Sequence, residues 1–179
     1  DVDLFLGTGA SFNATTHGQV DLDASATGFF LDTADLEFAT LTTAAGDVYT
    51  SIFFTAAAVT IEGFDGFDLD VYDLVVKVNQ TTALDGVLID WTDLDPAFAV
   101  TASDELVLGG TLELTIEGAV LVGGSFTVTV DPAATVDGVS GKLLHLSLVD
   151  VDLFLGTGAS FNATTHGQVD LDASATGFF

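Results

Sequence analysis

The chemistry open to this sequence lies mainly in its aspartates. They recur in pairs two residues apart, as Asp1/Asp3, Asp21/Asp23, Asp68/Asp70 and Asp93/Asp95, and the first two pairs return as Asp150/Asp152 and Asp170/Asp172. On an extended strand this spacing sets both carboxylates on one face, about 7 Å apart. Where such strands lie side by side at ~4.8 Å, the acids repel unless water, salt or a divalent cation screens them. Calcium, with roughly six to eight oxygen ligands, is the ion that would satisfy such a ladder. The densest group, Asp65, Asp68, Asp70 and Asp73, is the expected site. The complete loop signatures are absent: no D-x-D-x-D-G run leads to a bidentate Glu, and no G-G-x-G-x-D nonapeptide occurs. A solvated acidic surface fitted to salty water is the plainer account of the same residues.

Other candidates are weaker. His17, its copy His166, and His145 are the only imidazoles, and no second His or Cys stands at ligand spacing, so a turn or surface role is expected of them. Ser11 and Ser160 lie near a His without a G-x-S-x-G elbow. Gly7-Thr8-Gly9 lacks the third Gly of a dinucleotide loop. Trp91 and Phe98 could form a carbohydrate platform, but core packing is favoured, since Phe30, Phe38 and Phe126 fall on the inward phase of their segments. No cofactor beyond calcium and no enzymatic activity are expected.

The elements that must position these residues are organised by a repeat. Asp1 to Phe30 returns letter for letter at Asp150 to Phe179, an offset of 150 − 1 = 149 residues. Residues 1–149 therefore read as one complete repeat and residues 150–179 as the start of the next, with the chain expected to be a window on a longer array. A unit of this length is domain-sized and can bury much of its own apolar surface.

Composition narrows the class. Against 27 acidic residues stand only Lys77 and Lys142, a formal net charge of −25, which excludes nucleic acid and anionic lipid surfaces as partners. All but Glu37, Glu62, Glu105, Glu113 and Glu117 of those acids are Asp, a bias that disfavours helices and suits turns and strand rims. Mean hydropathy is +0.56, yet no run approaches the ~18 apolar residues of a membrane helix, so no membrane insertion is expected. The chain has neither Cys nor Met and so offers little to oxidise. Asn13-Ala14-Thr15, its copy Asn162-Ala163-Thr164, and Asn79-Gln80-Thr81 fit the glycosylation triplet.

The apolar period is two almost throughout, which predicts an all-β chain. Even positions are apolar or Gly from Val20 to Phe30 and again, after Asp32, from Ala34 to Phe38, with a blur at Phe29–Leu31; a turn follows at residues 44–47. The phase slips by one near Tyr72-Asp73, which predicts a bulge or corner there. Residues 80–86 read as a polar turn, and Val87 to Trp91 as a short strand ended by Pro96. From Leu106 to Val130 every even position is apolar or Gly, with no Asn-Gly turn, so the expected path is one extended run bending at Gly109-Gly110, Gly118 and Gly123-Gly124. Asp131-Pro132 and Asp137-Gly138 mark a loop, after which alternation runs from Lys142 to Phe161 across the repeat boundary without a linker. These features predict an elongated β-solenoid-like repeat, with tandem antiparallel β-sandwich domains as the alternative.

The stretch VDLFLGTGASF at Val151–Phe161, the repeat of about this length and the Thr/Asp/Gly/Val-rich pattern almost without Lys or Arg resemble the long tandem repeats of giant secreted or surface proteins of aquatic bacteria, including RTX-type adhesins. That resemblance implies an extracellular or cell-surface filament, stalk or fibre whose partners are adjacent repeats of the same protein. Its alternative is a calcium-dependent adhesin repeat that binds glycan or a partner cell.

Overall fold

The computed structural model describes residues 2–179; Asp1, the first member of the Asp1/Asp3 pair, lies outside them. The described residues are all-β. Eight strands, β1 (Val2–Phe12), β2 (Val20–Thr42), β3 (Val48–Glu62), β4 (Phe67–Thr81), β5 (Leu106–Ile116), β6 (Val120–Val136), β7 (Val139–Phe161) and β8 (Val169–Phe178), are joined by turns, with one 3-10 turn at Trp91–Asp93. They form a single sheet in sequence order, each strand antiparallel to the last. A coil of stacked rungs would instead set parallel strands side by side.

The segment expected to run unbroken from Leu106 to Val130 is a hairpin. Its turn is Glu117-Gly118-Ala119, with Glu117 and Gly118 at φ 53° and 61° and the Ala119 N–H donating to the Ile116 carbonyl at 3.0 Å. The register explains why the sequence hid it: Ile116 pairs with Val120, Leu114 with Val122 and Leu112 with Gly124. Even residues therefore face even residues across this turn, and the alternation passes through it without a change of phase. Glu-Gly here fills the left-handed positions that Asn-Gly usually takes. The expected loop at Asp131–Gly138 also shrinks. β6 continues to Val136 through a register shift between Asp131 and Ala134, and only Asp137-Gly138, both at positive φ, make the turn.

A seam of irregular backbone crosses the sheet. Thr33 in β2, Asp73 in β4 and Asp150 in β7 each take φ near +51°. The register shifts between Tyr72 and Val75, as the slipped phase there predicts, and again between Gly123 and Ser125. The apolar phase slips by one at the seam, from Phe67, Leu69 and Val71 to Leu74, Val76 and Val78 in β4 and from Leu144, Leu146 and Leu148 to Val151, Leu153 and Leu155 in β7. Leu31 and Ala34, on either side of Thr33, are buried in the same cluster with Ala56 and Val59, against which Val71 and Leu74, on either side of Asp73, also pack. Near β7 that apolar face is less covered: Leu112, Val122, Phe126, Leu146, Leu148 and Val151 line an open cleft.

The opposite face carries a second cluster. Trp91, Phe98 and Val100, in the long connection between β4 and β5, pack on Ala39, Tyr49 and Phe53. Of Val87–Trp91, expected as a strand, residues 87–90 are irregular and Trp91 opens the 3-10 turn. The buried Asn79 side chain donates to the carbonyls of Ile89 and Thr101 at 2.9 and 3.0 Å and accepts from the Trp91 indole at 3.0 Å. Both lysines of the chain tie down the far end of this connection: Lys77 lies 3.6 Å from Asp104, and Lys142 pairs with Glu105. Trp91 and Phe98 are thus core, 4% and 2% exposed, whereas Phe38, read as inward, is 62% exposed.

Candidate functional site

The four aspartates of the expected calcium site are placed apart in role. Asp65 lies in the turn between β3 and β4, Asp68 and Asp70 lie along β4 opposite Thr115 and Glu113, and Asp73 sits at the seam. Among the described residues no group of three or more His, Asp or Glu stands as a metal site. Of the other pairs, Asp93/Asp95 falls on the 3-10 turn and the loop after it rather than on a strand. Asp150 departs from strand geometry at the seam.

What the fold does bring together is the junction between the two copies. Asp150, the first residue of the second copy, lies inside β7, whose two flanks pair with β6 and β8. Across the junction Val120, Leu121, Val122 and Gly123 of β6 face Leu155, Phe154, Leu153 and Asp152, and the Gly156 N–H donates to the Ala119 carbonyl at 2.8 Å. Phe154, only 2% exposed, is packed with Leu121 and Val169.

Beyond β7 the chain turns through Asn162–Gln168, and this turn is built locally. The Asn162 carboxamide oxygen accepts from the N–H groups of Thr164 and Thr165 at 2.9 and 3.0 Å, and its nitrogen donates to Asp170 at 2.9 Å. The Asn162 N–H donates to the Gln168 carbonyl at 2.9 Å, and His166 and Gly167 supply the positive φ that closes the loop.

The closed turn then lies over the sheet of the first copy. The Gly167 N–H donates to Glu113 Oε1 at 2.7 Å, and His166 Nδ1 stands 3.4 Å from the same oxygen. The His166 ring stacks on Tyr72 at 3.6 Å with 12° between planes. Burial first, then the charges of Asp70 and Glu113, push the Tyr72 phenol up to about 12. Two glycines permit the approach. A Cβ on Gly123 would meet the Gly167 carbonyl oxygen at 2.2 Å, and one on Gly167 would meet Thr111 Cγ2 at 2.6 Å. Tyr72, Glu113, Gly123 and Gly167 thus make a seat and plug that a reading of motifs passes over. The available signal was Glu113 itself, a lone acid flanked by Leu112 and Leu114.

No family model, curated protein or solved structure matches this chain.

Proposed function

We propose that this chain is a structural repeat of an extracellular filament, stalk or surface fibre, in which copies follow one another through continuous β-structure. One observation carries the reading: the boundary at Asp150 is interior to a hydrogen-bonded strand. Because Val151–Phe161 of β7 repeats β1, one copy advances the sheet by six strands. Six is even, so an antiparallel meander enters every copy in the same direction and the array grows by translation and twist, about 29 Å per copy at ~4.8 Å per strand. The architecture we propose is one sheet folded along its seam, its two arms facing across the apolar side as the sheets of a sandwich do. The coil of stacked rungs is given up, since neighbouring strands here run antiparallel. The role is mechanical rather than catalytic: length comes from repetition, and the acidic surface keeps fibres from pairing edge to edge. The Cys-free, Met-free composition suits an exposed, long-lived material.

Electron microscopy of a three-copy chain tests this. The expected image is a straight rod that lengthens by about 29 Å with each added copy. Globules joined by mobile links would overturn it.

The second reading, a calcium-dependent adhesin repeat for glycan or a partner cell, draws on Asp70 standing directly opposite Glu113, like charges that a divalent cation would relieve. A chelator that lowers the melting temperature by many degrees would favour it.

A further inference from the structure

The fold sorts the three Asn-x-Thr triplets of this chain, at Asn13, Asn79 and Asn162. Asn79 in β4 is fully buried, and its carboxamide is fully engaged: the nitrogen donates to the carbonyls of Ile89 and Thr101, and the oxygen accepts from the Trp91 indole. Asn162 stands at the other extreme. It opens a hairpin with two distinct ends, of which His166 and Gly167 lie on the seat while Ala163, Thr164 and Thr165 are exposed. The N–H groups of Thr164 and Thr165 hold the Asn162 oxygen, which fixes the side chain close to Thr164. Its nitrogen donates one N–H bond to Asp170, so the second can be exchanged without loss of that contact.

We infer that Asn162 is an acceptor for an N-linked glycan, carried at the solvent end of a hairpin whose other end stays on the Tyr72–Glu113–Gly123 seat. The donor class is an oligosaccharide on a polyprenyl pyrophosphate. In the transfer a bond forms between Asn162 Nδ2 and the anomeric carbon, and the bond from that carbon to the phosphate oxygen breaks. The Nδ2 proton passes to a base of the transferase and the lipid pyrophosphate leaves, with no oxidation or reduction. Thr164 supplies the hydroxyl two residues on that defines the acceptor triplet. A sugar of this bulk belongs in water, and the exposed residues 163–165 leave it there. The contacts with Glu113 and Tyr72 are made by Gly167 and His166, not by the modified residue.

Asn13 holds the same closed turn, its oxygen accepting from Thr15 and Thr16, and is the corresponding acceptor of the first copy. An array would then bear one glycan per copy, about 29 Å apart at ~4.8 Å per strand. This deepens the fibre reading and rests on it for the extracellular setting. A glycan on Asn79 would have to sit where Trp91, Ile89 and Thr101 close over the side chain, so a chain modified there does not fold.

Secretion of the full chain from a eukaryotic host, followed by glycopeptide mass spectrometry of the folded monomer, tests the inference. Glycan is expected at Asn162 and Asn13, with Asn79 unmodified. Thr164→Val deletes the hydroxyl but keeps the N–H that Asn162 accepts, so the mass should fall by one glycan; where that variant does not fold, Thr164→Ala serves. Trp91 emission reports the fold. Tyrosinate absorbance of Tyr72 reports the seat, and its high transition should be the same before and after enzymatic release of the sugar. A folded chain unmodified at Asn162 overturns the inference, as do occupancy that is indifferent to loss of the Thr164 hydroxyl, a glycan on Asn79 in folded protein, or a Tyr72 transition that falls when the glycan is present. Each of these leaves the fibre reading standing, because that reading depends on the length of the three-copy rod.

Discussion

The same thirty residues appear twice in this molecule, once at the edge of the sheet and once inside it. Locally they share most of their bonds. Asp3 accepts from the Val20 N–H at 3.1 Å, and Asp152 from Val169 at 2.8 Å. Gly7 faces Gly28, and Gly156 faces Gly177, with the ring of Phe5 or Phe154 close over each pair. Asp23 and Asp172 each hold Ser25 or Ser174 through side chain and backbone. They part in what covers them. Phe154 is 2% exposed where Phe5 is half-buried, and Gly167 is buried where Gly18 is open. Secondary structure and turn chemistry are therefore written within the thirty residues, while burial is supplied by whichever copy stands before them.

The sharpest test of that contrast is a pair of truncations. Phe154→Ala should cost about 3–5 kcal/mol in denaturant unfolding, and Phe5→Ala roughly half as much, since only the former opens a closed core. Equal losses would break the comparison. Gly123→Ala should cost about 1–3 kcal/mol by driving a Cβ into the Gly167 carbonyl, whereas Gly141→Ala, with nothing within 4 Å, should be close to neutral. Asp152→Ala should lose about 1 kcal/mol, and Asp3→Ala somewhat more, because Asp3 accepts from the Thr33 N–H at 3.3 Å as well as from Val20.

Two titrations refine the contrast at smaller scale. The Tyr72 phenol is raised to about 12, so the stability linked to it is present below its unfolded value near 10 and is lost as pH rises through about 12. Tyrosinate absorbance should show this high transition in the native chain and a lower one once Gly123→Ala lifts the hairpin. Asp23 and Asp172 are both lowered, first by their Ser side chains and then by the Ser backbone N–H groups. Their contribution is present above the unfolded carboxylate value and fades as pH falls through the depressed one, so Ser25→Ala and Ser174→Ala should raise the two carboxyls alike in NMR titrations.

Much of this fold could be read from the chain. The period-two pattern gave the strands, and the phase slip at Tyr72-Asp73 located the seam, since a residue at positive φ turns every later side chain over. The hairpin at Glu117–Ala119 was hidden because its odd-length turn preserves phase, so a folded path and an extended one write the same letters. Residues 87–90 misled for another reason: the Asn79 side chain, ten residues back, takes the Ile89 carbonyl that a ladder would otherwise have served. The seat was illegible because Tyr72, Glu113 and Gly123 lie on three strands and meet His166 and Gly167 only across the junction.

By itself the sequence determined that the protein is all-β, strongly acidic and repeated at 149 residues, and it set the closed turns at Asn13 and Asn162, because alternation, charge and local Asx bonding act within a few residues. Only the tertiary structure decided that the strands form one antiparallel meander and that the second copy is clamped on Glu113. The clamp depends on groups as distant in sequence as Glu113 and Gly167, or Tyr72 and His166, meeting across the junction, and identical letters carry no information about their neighbours.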